Sequence, residues 1–330
     1  MPSLPSDSSS GATRAARAMQ LCVGPLQYWW PRQTLMAFYA DIAEGPADTV
    51  VLGEVCCSRR HEFTLDDWLA LGRELTQAGK RVRLATLPLL MSEAELRQMR
   101  RIAAEQTEFE LEAGDTAALQ AHASRPDGRP RPALALGPHI NIYSRSALRE
   151  HTLPGCATWV PPLELALDAV ARINPPRDPV RAPEGGALRT ELFAFGRMPL
   201  AFSARCFTAR HHHLPKDQCD FRCRDDADGL LLKSREGQDF LVLNGIQTQS
   251  AGLHCVLGEP DAIAAAGIAA LRLSPCSGDF HAMLVLHEQV FNGRLPAAEA
   301  LRQAAGLNLP GTLVHGFARR EAGMKELEHA

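Results

Sequence analysis

Residues 49–52 read Thr-Val-Val-Leu, and residues 81–87 read Arg-Val-Arg-Leu-Ala-Thr-Leu. Both runs are short and rich in aliphatic residues, which is typical of buried β-strands. Between them lies the stretch 64–80, in which apolar residues recur at helical spacing. It begins with Thr64, a good N-cap residue, and ends at Gly79, a common helix terminator. The order strand, helix, strand predicts a unit of an α/β fold.

The same alternation of apolar runs and helical patterns continues almost to the C-terminus. Eight runs are predicted to be strands: 21–24, 49–52, 81–87, 108–112, 133–136, 157–160, 190–195 and 268–273. Two further helices are predicted, one over 92–104 from the capping pair Ser92 and Glu95, and one over 163–173. The Pro-, Arg- and Gly-rich stretch 177–186 is predicted to be a surface linker.

These patterns predict the fold class. Eight strands separated by helices within about 250 residues fit a (β/α)8 TIM-like barrel better than an open doubly wound sheet. The sequence contains no GxGxxG motif, so the main signature of a dinucleotide-binding fold is missing. We predict a single barrel domain over 19–330, preceded by a disordered Ser/Pro-rich tail over 1–18.

Composition and charge argue against several classes of protein. The chain has 330 residues, of which 45% are hydrophobic and 22% are charged, so it is expected to bury a substantial core. The net charge of −3 gives no global attraction for nucleic acid or for an anionic membrane. No apolar run approaches the ~18 residues of a transmembrane helix, and no apolar segment of a secretory signal follows Arg14 and Arg17. We therefore expect a cytoplasmic location.

Nine cysteines occur, and in a reducing compartment they point to metal binding together with inert core thiols. The compact pattern is Cys206-x12-Cys219-x3-Cys223. Its spacer is polar and interrupted by Pro215, which is an odd setting for inert thiols, and thiolates suit iron–sulfur clusters or zinc. The spacing differs from the CxxC of zinc ribbons, which disfavours zinc. Four other cysteines are predicted to be buried thiols: Cys22, Cys156, Cys255 and Cys276.

A cluster held entirely by cysteines needs a fourth thiolate. Active sites of (β/α)8 barrels lie where strands end. The predicted strand exits are 54–60, 138–144, 161–164, 203–206 and 244–247. Cys57 directly follows the second strand, so we expect it to meet the loop 203–224. Cys56 would point the other way from an extended chain, but it stays open as an alternative fourth ligand.

Other polar residues near these exits have two interpretations each. Glu54 is placed either to transfer protons or to cap a loop, and Arg205 either to tune a metal centre or to form a surface ion pair. The three histidines 211–213 are expected at the surface, because three consecutive imidazoles cannot all face one metal. His139, close to Asn141, is expected to be a buried histidine with satisfied hydrogen bonds.

Several stretches resemble the U32 peptidase-like family. The clearest is 196–206, Gly-Arg-Met-Pro-Leu-Ala-Phe-Ser-Ala-Arg-Cys. Other stretches are similar to the ubiquinone-biosynthesis (UbiV) branch of that family: Gly-Pro-Leu-Gln-Tyr-Trp-Trp-Pro at 24–31, Gly-Glu-Val-Cys-Cys-Ser-Arg-Arg at 53–60, Gly-Pro-His-Ile-Asn at 137–141, Leu-Asn-Gly-Ile-Gln at 243–247 and Arg-Leu-Ser-Pro at 272–275. The resemblance covers roughly residues 19–300.

The resemblance implies an oxygen-sensitive [4Fe–4S] cluster held by Cys57, Cys206, Cys219 and Cys223. It also implies a heterodimer with a paralogous, UbiU-like U32 subunit. Together the two subunits would hydroxylate a prenylated aromatic substrate, a ubiquinone precursor, without O2, assisted by a UbiT-like lipid-carrier protein. This chain departs from the branch in its N-terminal tail, in the doubled Cys56-Cys57 and in its triple histidine.

Three other functions are weighed against this one. A related branch of the family hydroxylates RNA bases, but the acidic pI gives no support for a nucleic-acid partner. A non-catalytic subunit could use its metal for stability alone. Peptidase activity is not expected, because His287-Glu288 lacks the second histidine of an HExxH motif and no GxSxG elbow occurs. In addition, cysteines committed to a cluster are not free nucleophiles.

Overall fold

Seven parallel strands come first in the chain and build most of a barrel. The computed structural model describes residues 19–126, 128 and 130–327, and the predicted tail 1–18 lies outside them. The strands are β1 (Gln20–Val23), β2 (Thr49–Leu52), β3 (Arg81–Ala85), β4 (Glu110–Ala113), β5 (Leu134–Leu136), β6 (Cys156–Trp159) and β7 (Arg189–Gly196). Every neighbouring pair is parallel. The first seven predicted strands are confirmed, with ends shifted by at most two residues.

Helices connect these strands on the outside of the barrel. They are α1 (Arg32–Glu44), α2 (Leu65–Gln77), α3 (Glu93–Arg100), α4 (Thr116–Ala123), α5 (Arg145–His151) and α6 (Leu167–Ile173). At the start of α2, the Thr64 hydroxyl accepts the Asp67 amide, and the Asp67 carboxylate accepts the Thr64 amide at 2.8 Å. This reciprocal cap explains why the helix predicted over 64–80 begins where the sequence placed it.

Two predictions about these connections were partly wrong. The helix predicted from 163 begins only at Leu167, because two prolines, Pro161 and Pro162, and a turn come first. The stretch 177–186 is not wholly a surface linker, since Val180 and Ala182 are buried in the core.

An insertion that the sequence patterns did not reveal follows β7. It contains β8 (Pro199–Phe202), α7 (Phe207–His211), β9 (Leu230–Lys233), β10 (Asp239–Asn244) and β11 (Gln247–Ser250). The strands form an antiparallel sheet in the order β8-β11-β10-β9. The segments 203–206 and 244–247 were therefore wrongly predicted as barrel-strand exits. The first follows β8, and the second is the turn between β10 and β11.

The last part of the chain closes the barrel. Its elements are β12 (Leu253–Cys255), α8 (Pro260–Ala265), β13 (Ala270–Leu273), α9 (Phe280–Phe291), α10 (Ala297–Ala305) and β14 (Leu313–Val314). Strand β13 pairs in parallel with both β7 and β1, which completes a ring of eight strands. The predicted (β/α)8 barrel is confirmed. No helix within the described residues is long and apolar enough to cross a membrane.

Four charged side chains lie inside the barrel: Arg83 on β3, Glu112 on β4, Glu191 on β7 and Arg272 on β13. All four are almost fully buried. Arg272 donates to Glu112 and to Glu191 at 2.7 Å, and Arg83 contacts both carboxylates at 3.1 Å. Burial alone would raise the pKa of both carboxyl groups, but the two guanidinium groups outweigh it and lower the pKa of Glu191 to about 2. Two positive and two negative charges thus form a balanced interior group.

Candidate metal centre and barrel-mouth cavity

The structure brings the predicted cysteines from two distant parts of the chain to one place. Cys57 lies in the loop after β2, and Cys206 begins α7. Cys219 and Cys223 lie in short turns of the loop that follows α7. Cys57, Cys206 and Cys219 pack in one side-chain cluster with Cys56. Burial raises the pKa of Cys223, and the nearby thiols of Cys206 and Cys219 raise it further.

The cysteine group does not form a site for a single metal ion. Within the described ranges, no three His, Cys, Asp or Glu side chains are arranged to hold one. A tetrahedral zinc ion would need its sulfurs about 3.8 Å apart, given Zn–S bonds of about 2.3 Å. In a cubane cluster each cysteine binds a different iron, so the sulfurs stand farther apart. An all-thiol donor set is the usual ligation of a [4Fe–4S] cluster and also occurs at structural zinc sites, so the residue types present suit either group.

Nitrogen donors lie next to three of the four sulfurs. Cys206 is the N-cap of α7, and its Sγ accepts the Ala209 amide at 3.4 Å. Burial raises the pKa of Cys57, and the hydrogen bond from the Arg59 amide acts in the opposite direction. Burial likewise raises the pKa of Cys223, and the charge and hydrogen bond of the Arg60 guanidinium oppose it. N–H groups directed at sulfur stabilise a thiolate and tune a cluster that it ligates.

Cys56 has the opposite environment. Its side chain is fully buried, and its Sγ donates to the backbone carbonyl of Asn244 at 3.0 Å. Burial raises the pKa of Cys56 far above its ordinary range. A carbonyl oxygen accepts a hydrogen bond from a thiol but repels a thiolate, so the Cys56 sulfur is held in its protonated form.

A buried cation lies against the cysteine group. Arg60 is 5% exposed and donates to the Gln27 backbone carbonyl and to the Asn244 side chain, both at 2.6 Å. Burial alone would lower the Arg60 pKa, while the nearby Glu54 carboxylate acts in the opposite direction. The guanidinium is therefore a fixed positive charge beside the sulfurs of Cys57 and Cys223. Arg60 lies in the stretch 53–60 that resembles the family, but nothing in the sequence marks it as buried, so the sequence alone does not predict this role.

Glu54 shapes the turn that presents Cys57. One carboxylate oxygen accepts the amide of Cys56 at 2.7 Å and that of Cys57 at 2.9 Å. Burial raises the Glu54 pKa, while Arg60, 3.9 Å away, acts in the opposite direction. Glu54 was predicted either to transfer protons or to cap a loop, and these contacts are those of a loop cap.

Aromatic and cationic side chains hold the cysteine loop against the barrel. Arg59 donates to the backbone carbonyls of Lys216 and Asp217, and its guanidinium lies over the Phe221 ring. Phe221 also packs edge-on against Trp29, with ring centroids 4.9 Å apart. The loop is thus fixed at both of its 3-10 turns to the segments that follow β1 and β2.

A small cavity opens at the carboxyl ends of the barrel strands, beside the cysteine group. Gln27, His139, Gln247 and Arg272 line it, together with Val55, which directly precedes Cys56. The prediction for His139 was wrong in one respect: the side chain is only half-buried, and its ring nitrogens have no hydrogen-bond partner among the described residues. Burial lowers the pKa of His139 to about 4, so the imidazole is neutral at pH 7.

The other predicted residues lie as follows. His211 and His213 are exposed, as expected, and so is Arg205, whereas His212 is half-buried, so the expectation for that histidine was only partly right. His287 and Glu288 are buried within α9. The four cysteines predicted to be inert, Cys22, Cys156, Cys255 and Cys276, are confirmed as buried.

The fold and these groups define a (β/α)8 barrel protein with a thiol-rich mouth. A family model described as peptidase family U32 matches residues 33–286. This match spans most of the chain, and the protein belongs to that family.

Solved structures of low sequence identity also align with the chain. A truncated 3-deoxy-D-arabino-heptulosonate 7-phosphate synthase from Thermotoga maritima is 12% identical, with 88% of this chain and 89% of that one covered and a TM-score of 0.41. Burkholderia cenocepacia dihydropteroate synthase is 14% identical, with 87% and 92% covered and a TM-score of 0.39. The spore cortex-lytic enzyme SleL of Bacillus megaterium is 12% identical, with 84% and 75% covered and a TM-score of 0.41.

Proposed function

We propose that this protein is the iron–sulfur subunit of a system that hydroxylates the aromatic ring of ubiquinone precursors without O2. In this proposal it works in the cytoplasm as a heterodimer with a paralogous, UbiU-like U32 subunit, and a UbiT-like lipid carrier delivers the prenylated substrate. The observation that supports it most is the gathering of Cys57, Cys206, Cys219 and Cys223 at the barrel mouth. Membership of the U32 family is consistent with it.

The four cysteines would hold a [4Fe–4S] cluster, which supplies one-electron chemistry when bound. The residues around them suit such a group. Arg60 offsets negative charge on the thiolates, and the amides of Arg59 and Ala209 donate to sulfur. Cys57 suits the fourth position better than Cys56, because the Cys56 sulfur faces a carbonyl oxygen.

Purification without oxygen, followed by iron and sulfide assays and visible absorption, tests the cluster. We expect close to four irons and four sulfides per chain, their loss in Cys57→Ser, and their retention in the matched control Cys56→Ser. A colourless protein with one zinc ion would contradict the proposal. Cluster loss in Cys56→Ser but not in Cys57→Ser would move the fourth ligand to Cys56.

Hydroxylation measured under anaerobic conditions separates an active subunit from a scaffold. Cells or extracts carrying Cys57→Ala or Cys219→Ala are expected to lose O2-independent ubiquinone formation. Normal formation with both variants would show that the metal is dispensable and would favour a non-catalytic interaction subunit. The paralogous subunit must be present in each comparison, so that loss reflects this chain alone.

A further inference from the structure

Arg60 is a buried cation that three separate segments of the chain hold in place. Its own segment follows β2. The guanidinium donates to the Gln27 carbonyl, in the loop after β1, and to the Asn244 side chain, at the turn between β10 and β11, both at 2.6 Å. Gly245 packs directly on it, since a Cβ built there would lie 3.0 Å from the Arg60 Nη2. The positive charge therefore has one fixed position.

The guanidinium lies against the cysteine group. Its charge acts on the sulfurs of Cys57 and Cys223, and it hydrogen-bonds the Cys223 sulfur. The Arg60 Nε–H is buried and has no hydrogen-bond partner in the part of the chain that the structure describes. Because a buried N–H without an acceptor is costly, this group is available to an acceptor held by the cysteines. The sulfur atoms of an iron–sulfur cluster accept such hydrogen bonds.

Glu54 brings the opposite charge to the same cysteines. Its Oε1 accepts the backbone amides of Cys56 and Cys57 and lies 3.9 Å from the Arg60 Nη1. The Glu54 side chain is 17% exposed, against 2% for that of Arg60, so solvent screens the carboxylate more than the guanidinium. We therefore expect the cation to act on the cysteine group more strongly than the anion.

Charges at this position change the energy of an electron added at the cysteines. A cluster held by four thiolates carries a net negative charge, and reduction makes that charge more negative. Net charge, hydrogen bonds to sulfur and solvent exposure set its reduction potential. A buried cation favours the added electron and a buried anion opposes it, because a low dielectric leaves both charges poorly screened. Cys206 is buried and the other three predicted ligands are half-buried, so the site is partly shielded from water.

We propose that Arg60 and Glu54 set the reduction potential of the cluster in opposite directions, with Arg60 raising it and Glu54 lowering it. This inference rests on the proposed function, because it requires a cluster at the four cysteines. Both residues act as positioning residues, through charge and hydrogen bonds and not as ligands. The segment 54–60 thus supplies a ligand, Cys57, together with the two charges that tune the site.

Redox titration of the anaerobically purified full chain, followed by electron paramagnetic resonance, measures the midpoint potential. We expect Arg60→Met to shift the one-electron equilibrium about 10-fold or more toward the oxidised cluster, which is a fall of at least 59 mV. Glu54→Gln should shift it about 3-fold or more in the opposite direction. Arg60→Lys keeps the positive charge and should stay within about 3-fold of the wild type. The matched control Arg205→Met removes an exposed charge next to Cys206 and should change the equilibrium less than about 2-fold.

Four outcomes decide the matter. An Arg60→Met midpoint equal to that of the wild type would overturn this inference and leave the proposed function intact. Shifts in the same direction for Arg60→Met and Glu54→Gln would also overturn it, because loosening of the site alone moves both variants alike. If Arg60→Met retains no cluster, a raised potential in Glu54→Gln supports the inference, and an unchanged or lower one overturns it. A wild-type protein without a cluster would overturn both this inference and the proposed function.

Discussion

Replacing Glu112 with glutamine removes one charge from the interior group while nearly keeping the shape of the side chain. In the wild type, Glu112 accepts from Arg272 at 2.7 Å and from Arg83 at 3.1 Å. The variant leaves two buried guanidinium groups with the carboxylate of Glu191 and, for Arg83 alone, that of the partly exposed Glu110 at 3.4 Å. Removing one partner of a buried ion pair typically costs about 3–5 kcal/mol, because the remaining charge is left uncompensated.

The neighbouring carboxylate shows that these guanidinium groups stabilise a buried negative charge. They lower the pKa of Glu191 from its ordinary 4.5 to about 2, despite burial, and they also lower the pKa of Glu112. We therefore expect Glu112→Gln to lower the free energy of unfolding by about 3–5 kcal/mol.

Urea denaturation followed by circular dichroism, with thermal melting alongside, measures this loss. At about 2 °C per kcal/mol for a chain of this size, Tm should fall by roughly 6–10 °C. Glu108→Gln is the matched control, because Glu108 forms an exposed pair with Arg73 at 2.7 Å and should cost at most about 1 kcal/mol. A loss below about 1 kcal/mol in Glu112→Gln would refute the role assigned to the interior charges.

Three other predictions follow from the structure. Stability should fall as the pH drops from about 4.5 to about 2. The pKa of Glu191 is lower in the folded state than in the unfolded state, so its stabilising contribution is complete above the unfolded pKa and is lost when the carboxylate is protonated. A Tm that stays constant over this pH range, measured by calorimetry, would contradict this prediction. Gly53→Ala should lower the free energy of unfolding by about 3 kcal/mol, because φ is +119° and the new Cβ would lie 2.9 Å from the Ala85 carbonyl oxygen. The control Gly237→Ala, at φ +85° but in open space, should lower it by about 1 kcal/mol. Equal denaturation midpoints for the two variants would show that crowding at Gly53 is unimportant. Arg59→Met should speed iodoacetamide labelling of Cys219 in metal-free protein severalfold, because the cysteine loop loses its contacts at Lys216 and Asp217. Mass spectrometry measures the labelling rate, and Arg205→Met is the control at an exposed site. Equal rates in the two variants would refute the role of Arg59 in holding the loop.

The barrel could be predicted from the sequence because its strands are buried on both faces. A run such as Thr49–Leu52 is mostly aliphatic, is buried throughout and is bounded by helical patterns, so its type and position are clear. For the same reason, the sequence pattern did not reveal the charged side chains inside the barrel. When both faces of a strand are buried, periodicity does not tell which residues point inward, and Arg83 or Glu112 stands out only once the ring is closed.

The inserted sheet could not be predicted in the same way. One of its strands, Gln247–Ser250, is polar in sequence although mostly buried, and another, Leu230–Lys233, is partly exposed. One local signal was present, since Asn244-Gly245 is a strong hairpin pair and the structure places it at the turn between β10 and β11. The cysteine pattern was recognised, but the role of Cys56 depended on the carbonyl opposite its sulfur, which only tertiary structure supplies.

The way the ring closes has a consequence for synthesis on the ribosome. Strand β13 pairs with both β7 and β1, and roughly 70 residues separate it from β7. At about 5–20 residues per second, the nascent chain waits some 4–14 s with seven strands made and the outer edges of β1 and β7 lacking their final neighbour. Unpaired strand edges recruit other chains. The interval between making β7 and making β13 is therefore when this protein most needs a chaperone.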